Sequence, residues 1–369
     1  MTKVCHLTSA HGVEDVRIFH KECVTLAKAG YDVYLVERGE SYDKNGVHIV
    51  GVGDIPASRR KRMTEGVQKV YDAALEVDAD IYHLHDPELL RIALKLKRLG
   101  KKVIFDSHEN VAASIMEKQY ISPIIRWAVY WAYDKYENYV CNRLDTVVYV
   151  TPGQDIAEKV KSKRIMITNY PMLNYEVSGN SCGEKGKTLV FAGGISEQWN
   201  HHVVVDVLAD IDDATYTLCG LVGASYLKKL EVLPGWKRVK YLGKVSFAEV
   251  SDILKESSVG LAILSKGRNT KGNMGTLGNT KIFEEMMAGL PVICTNFSLW
   301  KNIIDKYHCG ICVDPTNKDE VKSAIEYLFA HPDEAKQMGL NGRKAVEQEF
   351  NWDTQAVKLL ELYRELGVR

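Results

Sequence analysis

Residues 4–36 read VCHLTSAHGVEDVRIFHKECVTLAKAGYDVYLV and hold one complete strand–helix–strand unit. Residues 4–7 form an apolar strand. Gly30 ends the following helix in the manner of a left-handed C-terminal cap, and residues 31–36 form the next strand. The helix is predicted from apolar residues at helical spacing, namely Val16, Phe19, Cys23 and Leu26. Because two strands joined through a helix run parallel, this segment predicts a parallel α/β sheet.

The same alternation of strand and helix continues along two halves of the chain. Strand-like runs lie at 49–52, 81–85, 103–106, 146–150, 189–192, 216–219, 259–264 and 292–295. Residues 169–187 interrupt them with the Asn, Pro, Ser, Gly and Lys composition of a linker. We therefore predict two doubly wound parallel-sheet (Rossmann-like) domains, at 1–172 and 186–352. Ligands of such sheets bind at the carboxyl ends of the strands, so a site is expected in a cleft between the domains.

Composition excludes several classes of protein. The 369 residues carry 48 basic and 48 acidic side chains, and this balance argues against nucleic acid as a partner. No apolar run reaches the roughly 18 to 20 residues that cross a bilayer, and no signal-peptide pattern is seen, so a cytoplasmic protein is expected. Cys309 and Cys312 have CxxC spacing, but no second pair completes a zinc site, and strand packing is the favoured interpretation.

The loop after the first strand carries neither of the common phosphate-binding motifs. Residues 9–12, SAHG, replace a GxGxxG turn, and the chain has no GxxxxGK[ST], so a nicotinamide dehydrogenase and a P-loop ATPase are not supported. His11 and Gly12 precede a helix start, which is a plausible neighbour for phosphate, with Arg17 one turn in. A solvated helix charge is an equally good interpretation of Arg17.

Two further strand ends read HLHDPE and FDSHEN. Their His, Asp and Glu residues would be compatible with a metallohydrolase. However, Pro87 follows Asp86 and starts a helix, so Asp86 is better placed as the N-cap than as a metal ligand. The favoured prediction has no metal and places His108 and Glu109 toward a substrate; a histidine satisfied by backbone groups is the alternative.

The most informative stretch is GNTKIFEEMMAGLPVICTNF, residues 278–297. A loop rich in Gly, Asn and Thr leads into a helix whose first turns carry Lys281 and Glu284. Amides at a helix start together with a lysine suit a diphosphate, and a carboxylate can accept both hydroxyls of a ribose. Glu284 and Glu285 point about 100° apart on a helix, so at most one of them faces the ligand.

Residues 120–139 crowd aromatic and cationic side chains together. The segment contains Trp127, Tyr130, Trp131, Tyr133, Tyr136, Arg126 and Lys135. Aromatic residues beside cations suit a membrane interface. A helix that covers the sheet and packs by its aromatic stripe is the favoured alternative.

Taken in order, nine segments resemble the GT-B retaining glycosyltransferases of family four, also called group 1 glycosyltransferases. The segments are SAHGVEDVRIFHKECVTLAKAGYDV, HLHDPELL, VIFDSHE, TNYP, FAGGIS, YLGKVS, TKIFEEMMAGLPVI, CGICVDP and MGLNGRKAVEQEFNW. Such enzymes transfer a sugar from a nucleotide donor with retention at the anomeric carbon, without a catalytic metal or other cofactor. The resemblance also implies that the last helix bends back at Trp352, so that residues 353–369 pack on the N-terminal domain.

The resemblance assigns roles to individual residues. It implies that Glu284 grips the donor ribose, that Lys281 lies near the diphosphate, and that His108 touches the donor sugar. Further donor-binding positions are Gly193, Gly194, Lys244, Val245, Lys266, Arg268, Thr276, Asn279 and Thr280. Positions on the acceptor or phosphate side are His11, Gly12, Arg17, Asp86 and Glu109.

The chain departs from the family pattern at the diphosphate. Thr276 stands where the family often has a Glu that contacts the donor sugar, and residues 198–200 read QWN where it usually supplies an Arg and often a Lys. Two buried phosphates still need countercharge, because an unpaired buried charge costs several kcal/mol. We expect Lys266, Arg268 or Lys271 to supply it.

These features predict a retaining glycosyltransferase that moves a sugar from a nucleotide-sugar, with a UDP-sugar favoured, to a glycan or lipid-linked acceptor. A role in surface polysaccharide or glycoconjugate synthesis would follow. If the segment at 120–139 contacts lipid, the protein would work at the inner face of the membrane. A nucleotide-sugar epimerase of similar two-domain shape and a sugar-nucleotide-binding protein without turnover are the alternatives.

Overall fold

A computed structural model of the chain describes residues 1–108, 111–117, 121–173 and 186–367. Internal contacts divide the chain into two units. The first unit comprises Met1–Asn169 and Trp352–Arg369, and the second comprises Tyr170–Asn351. The division falls at the start of the predicted linker, most of which lies outside the described residues.

The first unit is built on an eight-stranded sheet. Its strands are β1 (Lys3–Leu7), β2 (Asp32–Glu37), β3 (Tyr42–Lys44), β4 (Val47–Gly51), β5 (Ile81–Leu84), β6 (Lys102–Ser107), β7 (Thr146–Tyr149) and β8 (Arg164–Met166). The strand order is β3-β4-β2-β1-β5-β6-β7-β8, and every pair is parallel except β3 with β4. The doubly wound sheet is therefore as predicted, with one short antiparallel strand added at its edge.

Helices cover this sheet and connect its strands. They are Val16–Cys23, which has π-helical hydrogen bonding, Val24–Lys28, Arg59–Lys61, Arg62–Gly66, Val67–Val77, Pro87–Leu89, Leu90–Arg98, Val111–Glu117, Pro123–Cys141, Asp155–Lys159 and Trp352–Leu366. Gly30 has a φ of 88°, and its neighbour Tyr31 donates its N–H to the carbonyl of Leu26, which confirms the predicted helix cap.

The second unit contains a six-stranded sheet that is parallel throughout, in the order β11-β10-β9-β12-β13-β14. Its strands are β9 (Thr188–Ala192), β10 (Thr215–Cys219), β11 (Val239–Gly243), β12 (Val259–Ala262), β13 (Val292–Thr295) and β14 (Gly310–Val313). Its helices are Glu197–Trp199, His201–Leu208, Ala224–Glu231, Pro234–Arg238, Phe247–Glu256, Lys281–Met287, Ser298–Tyr307, Lys318–Ala330 and Pro332–Gln348. Cys309 directly precedes β14 and is buried, and Cys312 lies within that strand. The strand-packing interpretation of the CxxC pair is therefore confirmed.

The helix Pro123–Cys141 contradicts the favoured interpretation of its aromatic residues. Trp127 is 61% exposed and Trp131 is 53% exposed, whereas burial is confined to Glu137, Val140 and Cys141 near the end of the helix. The aromatic stripe is therefore not core. Within the described part of the chain, none of the helices is both long enough and apolar enough to cross a membrane.

Two central strands carry fully buried histidines. His6 on β1 lies directly opposite His83 on β5, and both side chains are inaccessible to solvent. Strands at the centre of a parallel sheet are normally apolar, because both faces are covered. A buried imidazole must have polar partners, and we expect those of His6 and His83 near the adjoining carboxyl ends of the strands.

Candidate functional site

Three predicted site residues come together at the carboxyl ends of β1, β5 and β6. His11 lies in the loop after β1, and its Nδ1 is 2.9 Å from Oδ1 of Asp86, which follows β5. His108, which follows β6, places its Nε2 3.1 Å from Nε2 of His11. Gly12, the next residue along the first loop, is exposed. Glu109, predicted beside His108, lies outside the described residues.

Asp86 does not cap the helix that follows it, so that part of the prediction is wrong. Its side chain makes no capping hydrogen bond to its own helix and instead accepts the N–H groups of Ser9 at 2.5 Å and Ala10 at 3.0 Å. It also accepts the hydroxyl of Thr8 at 2.9 Å. Burial alone would raise the pKa of Asp86, but its bonds to His11 and to the Ser9 amide hold it below the usual value. Asp86 thus fixes the loop after β1.

Arg17 is buried in an ion pair, which rules out the interpretation of it as a solvated charge. Its Nε and Nη2 donate to the two carboxylate oxygens of Asp106 at 2.7 and 2.9 Å. Both side chains are almost fully buried. Burial would raise the pKa of Asp106, but the Arg17 guanidinium holds it well below its usual range. Asp106 also lies 3.3 Å from Nδ1 of His108, so the pair positions a predicted site residue.

These strand ends open into a cavity of about 720 Å³ within the first unit. His11, Asp86 and His108 form part of its wall, and all three were predicted from the sequence. Sequence analysis did not place the other charged and aromatic residues of the lining here, which are Arg59, Arg62, His85, Glu88, Arg91, Phe105, Asp106, Tyr133, Tyr136 and Glu137. The run RRKR at 59–62 was the available signal for the arginines. Three arginines share the wall with four carboxyl groups, those of Asp86, Glu88, Asp106 and Glu137, so the cavity suits a polar ligand.

Glu137 is a buried carboxyl group in the wall of this cavity. Its side chain accepts the hydroxyl of Tyr133 at 2.8 Å, and burial raises its pKa to about 7. An ordinary glutamate titrates near 4.3, so Glu137 should stay largely protonated in the folded protein at pH values where the unfolded chain is ionised. Folding stability should therefore depend on the protonation of this side chain.

We expect the free energy of unfolding to fall by up to about 3 kcal/mol between pH 4 and pH 8 on account of Glu137 alone. The sign follows from its raised pKa: the stabilisation is present below the pKa of the unfolded chain and is lost as pH rises through about 7. The Glu137→Gln variant should lack this dependence when urea unfolding is followed at both pH values. Glu76→Gln, an exposed substitution, should behave as the unaltered protein. Parallel stability–pH curves for Glu137→Gln and the unaltered protein would contradict the expectation.

In the second unit, the carboxyl ends of β9, β10 and β11 meet at glycines. The N–H of Gly220 donates to the carbonyl of Gly243 at 2.7 Å. A Cβ atom on Gly220 would lie 1.7 Å from the carbonyl oxygen of Gly193, so only glycine fits there. Gly193 is half-buried and donates its N–H to the carbonyl of Cys219, whereas Gly194 is exposed with open space beside it. Lys244 and Val245 continue from Gly243 at the same edge, and Lys244 is exposed.

Lys281 and Glu284 lie together beside these glycines. A Cβ on Gly193 would be 2.8 Å from Cε of Lys281, so the lysine side chain runs across the glycine. Nζ of Lys281 is 2.6 Å from Oε2 of Glu284, and the hydroxyl of Thr280 donates to Oε1 at 2.7 Å. Glu284 is 29% exposed, whereas Glu285 is buried against Gly260. Of the two adjacent glutamates, Glu284 alone is therefore accessible to a ligand.

Residues 198–200, which stand where the family usually has basic residues, are hydrogen-bonded to the loop after β12. The side-chain amide of Asn200 donates to the carbonyl of Ile263 at 3.2 Å and to the hydroxyl of Ser265 at 3.0 Å. Lys266, the next residue, is exposed and lies 3.2 Å from Asp314. Lys266 therefore follows directly on a loop that is hydrogen-bonded to Asn200.

The remaining donor-side residues belong to the loop before the helix Lys281–Met287. Arg268 is exposed and Lys271 is half-buried with a φ of 49°. The hydroxyl of Thr276 accepts the N–H of Gly278 at 3.0 Å, so it stabilises the loop itself. The side-chain oxygen of Asn279 accepts the N–H of Lys281 at 3.1 Å. Thr276 and Asn279 thus hold the segment that presents Lys281.

Two known protein families match the chain, one in each unit. The family described as "Glycosyl transferases group 1" matches residues 179–345, and that described as "Glycosyltransferase Family 4" matches residues 16–163. A curated relative, the GDP-mannose-dependent alpha-(1-6)-phosphatidylinositol monomannoside mannosyltransferase of Mycobacterium tuberculosis, is 35% identical over 81 residues. That alignment spans 22% of this chain and about a fifth, 21%, of the length of the relative.

Solved structures match over nearly the whole chain. Sucrose-phosphate synthase from Thermosynechococcus elongatus superposes with a TM-score of 0.78 at 15% identity, covering 99% of each chain. Anabaena HepE in complex with UDP and glucose gives a TM-score of 0.73 at 14% identity and covers 99% of this chain and 100% of its own. Similarity at this level of identity establishes the fold, and the predicted GT-B architecture is confirmed.

Proposed function

The chain belongs to the group 1 glycosyltransferases, and from that premise we propose that it transfers a sugar from a nucleotide-sugar donor to a glycan or lipid-linked acceptor. The proposal includes retention at the anomeric carbon, without a catalytic metal or other cofactor. Front-face displacement, in which the donor phosphate assists deprotonation of the acceptor, gives that outcome. The enzyme's main task is then to stabilise the negative charge that builds on the leaving diphosphate.

The observation that carries the donor assignment is the contact of Lys281 with Gly193. An ammonium group held beside a glycine at a strand end is a suitable partner for a diphosphate. Glu284 is partly exposed and forms an ion pair with Lys281. Its carboxylate can exchange that partner for the hydroxyls of a ribose. Both features support a nucleoside diphosphate at this edge of the second unit.

We propose that the cavity of the first unit receives the acceptor. Arg59, Arg62 and Arg91 lie along its wall, where Nε of Arg62 donates to Glu88 at 2.5 Å. Tyr133 and Tyr136 offer faces on which sugar rings or acyl chains can pack. Arg59 is exposed. The arginines favour an acceptor that carries phosphate, because guanidinium groups bind phosphate oxygens in a bidentate manner.

A lipid-linked acceptor also fits the exposed aromatic face of the helix Pro123–Cys141. Ile124, Trp127 and Trp131 are spaced by three and four residues, so they share one face, and all are more than half exposed. Nζ of Lys135 lies 5.9 Å from the ring centre of Trp131. Exposed tryptophans with adjacent cations are typical of segments that lie in a membrane interface. We propose that this helix brings the protein to the inner face of the membrane.

In vesicle flotation, the protein is expected to bind membranes of phosphatidylglycerol and phosphatidylcholine. The double variant Trp127→Ser, Trp131→Ser should bind at least about tenfold more weakly, since it removes the apolar surface that would enter the interface. Val357→Ser, which removes an exposed apolar side chain from another helix of the first unit, serves as the control and should bind normally. Equal flotation of the double variant would count against membrane contact through this helix.

A panel of nucleotide-sugars tests the proposed activity. UDP-sugars are the favoured donors, and GDP-mannose is included because the mycobacterial relative depends on it. We expect release of the nucleoside diphosphate with one donor, accelerated by a phosphate-bearing glycan or lipid acceptor, and a product of retained anomeric configuration by NMR. Isomerisation of the donor alone would identify an epimerase. Binding of donor without turnover would identify a sugar-nucleotide-binding protein.

Single alanine variants test which residues provide the countercharge. Lys266→Ala, Arg268→Ala and Lys271→Ala should each be compared with Lys281→Ala for donor affinity and turnover. Lys266 is the first candidate, because its neighbour Ser265 is hydrogen-bonded to Asn200. If all four variants matched the unaltered protein, the proposed diphosphate site would be wrong.

A further inference from the structure

A compact cluster of buried polar side chains lies below the strand ends of the first unit. Its members are His6, Glu22, His83 and His85, and all four are fully buried. His6 and His83 come from adjacent positions of β1 and β5, His85 directly follows β5, and Glu22 comes from the helix Val16–Cys23. His85 also lines the cavity proposed for the acceptor, but the transfer reaction as proposed assigns no role to any of the four.

Glu22 lies farther from the three histidines than a hydrogen bond allows, at distances that suit ligands of one cation. Oε2 of Glu22 lies 3.8 Å from Nδ1 of His6, 3.6 Å from Nδ1 of His83 and 3.8 Å from Nε2 of His85. Hydrogen bonds between nitrogen and oxygen are about 2.7 to 3.2 Å long. Tetrahedral zinc with bonds of about 2.0 to 2.1 Å separates its ligands by roughly 3.3 Å. The four ligand atoms all lie within 4.8 Å of one another.

Glu22 lacks the donors that a buried carboxylate requires. In the described part of the chain, no hydrogen-bond donor reaches either of its oxygens. The nearest cation, Arg17, lies 3.3 Å away through Nε, but that guanidinium already makes two hydrogen bonds to Asp106. One arginine therefore faces two buried carboxylates, and the cluster is short of positive charge.

Two of the histidines are held by outer partners in the manner of metal ligands, whereas Nδ1 of His83, the nitrogen nearest Glu22, itself lies 2.9 Å from the hydroxyl of Tyr363. Nδ1 of His85 lies 3.2 Å from Asp106, which leaves the lone pair of Nε2 directed at Nδ1 of His6, 2.9 Å away. The other nitrogen of His6, Nε2, lies 3.1 Å from the hydroxyl of Tyr363. A carboxylate or hydroxyl on the far ring nitrogen is the usual device that orients a metal-bound imidazole. At 2.9 Å the facing nitrogens of His6 and His85 share one proton in a hydrogen bond, and a bound cation would displace that proton.

We propose that His6, Glu22, His83 and His85 bind a divalent transition-metal cation of the zinc class. Three imidazoles and one carboxylate form a ligand set that suits zinc and neighbouring ions. The four protein ligands complete a tetrahedral shell and leave no position for substrate, so the cation is structural. It ties the helix Val16–Cys23 to strands β1 and β5, and it is separate from the transfer step, which needs no metal.

Metal content of the protein measures this site directly. Untagged protein is produced in defined medium with zinc, so that the cation is present while the chain folds, and is analysed by plasma mass spectrometry after gel filtration. We expect about one zinc per chain. Protein produced in zinc-depleted medium should have a lower melting temperature, and zinc present during refolding should restore it. Less than a tenth of an equivalent of any transition metal, with no effect of zinc on melting, would overturn the proposal.

Variants separate this site from adventitious binding. Glu22→Gln keeps the size of the side chain and should weaken zinc affinity at least 100-fold, as measured by competition with a chromogenic chelator. His48→Ala is the control, because His48 is an exposed histidine between Asp43 and Asp32 that could capture metal at the surface. Its zinc content should be unchanged. Loss of zinc in His48→Ala with retention in Glu22→Gln would refute the assignment. If Glu22→Gln does not fold, the metal content and melting of the unaltered protein still decide.

Discussion

Replacing Lys281 by alanine is expected to lower kcat/KM for the nucleotide-sugar by about 10²- to 10³-fold. In the proposed reaction, negative charge increases on the diphosphate as the bond to the sugar breaks. A preorganised ammonium beside that group therefore stabilises the transition state more than the bound substrate. The loss should consequently fall mainly on kcat, measured as release of nucleoside diphosphate under steady-state conditions.

Two further variants make this prediction specific. Glu284→Gln keeps the shape of its side chain but weakens its acceptance of ribose hydroxyls, so it should raise KM and the Kd of the free nucleotide more than it lowers kcat. Lys301→Ala is the control, since Lys301 also pairs along a helix, with Asp305 at 2.8 Å, but on an exposed surface. Unchanged kcat in Lys281→Ala would show that another cation meets the leaving group.

Much of the donor side was predictable from the sequence, because it depends on features that are local. Apolar runs separated by helical periods identified the strands, and the carboxyl ends of parallel strands must share one edge of a sheet. Gly193 follows one such strand, and Lys281 begins a helix after another. Their contact therefore follows from topology, although the close approach of Gly220 to Gly193 could not be read from spacing.

Asp86 shows where local reasoning fails. The following Pro87 made a helix cap the natural interpretation, since the residue before a first-turn proline usually caps its own helix. Pairing of β1 with β5 instead brings the amides of Ser9 and Ala10, more than 70 residues earlier in the chain, to the same carboxylate. Hydrogen bonds from two amides of another loop replace the local cap, and the spacing of residues along the sequence does not indicate them.

The exposure of the aromatic residues on the helix Pro123–Cys141 and the burial of Glu137 could not be predicted, for a different reason. An aromatic stripe has the same composition whether it packs on a sheet or faces solvent, and only the contacts of Val140 and Cys141 fix which face is inward. Glu137 lies on the same helix and resembles any solvated glutamate in the sequence. Its burial against Tyr133 appears only when the helix is placed on the sheet.

Arg17 and Asp106 give the second large effect, on stability. Replacing Arg17 by methionine is expected to lower the free energy of unfolding by about 3 to 5 kcal/mol, because it leaves the Asp106 carboxylate buried without its cation. Both hydrogen bonds of the pair, at 2.7 and 2.9 Å, are lost together. Urea unfolding followed by tryptophan fluorescence measures the change. Lys44→Met, which breaks an exposed ion pair with Glu14, should have little effect.

A double-mutant cycle distinguishes a coupled pair from two independent losses. Asp106→Asn alone should be destabilising for the same reason, since it leaves the guanidinium buried opposite a neutral amide. Arg17→Met combined with Asp106→Asn should lose at least about 2 kcal/mol less than the sum of the single changes, because the double variant buries no unpaired charge from this pair. Additive losses would show that the two side chains act separately. Since Asp106 also contacts His108, Asp106→Asn should lower kcat as well, whereas Lys44→Met should not.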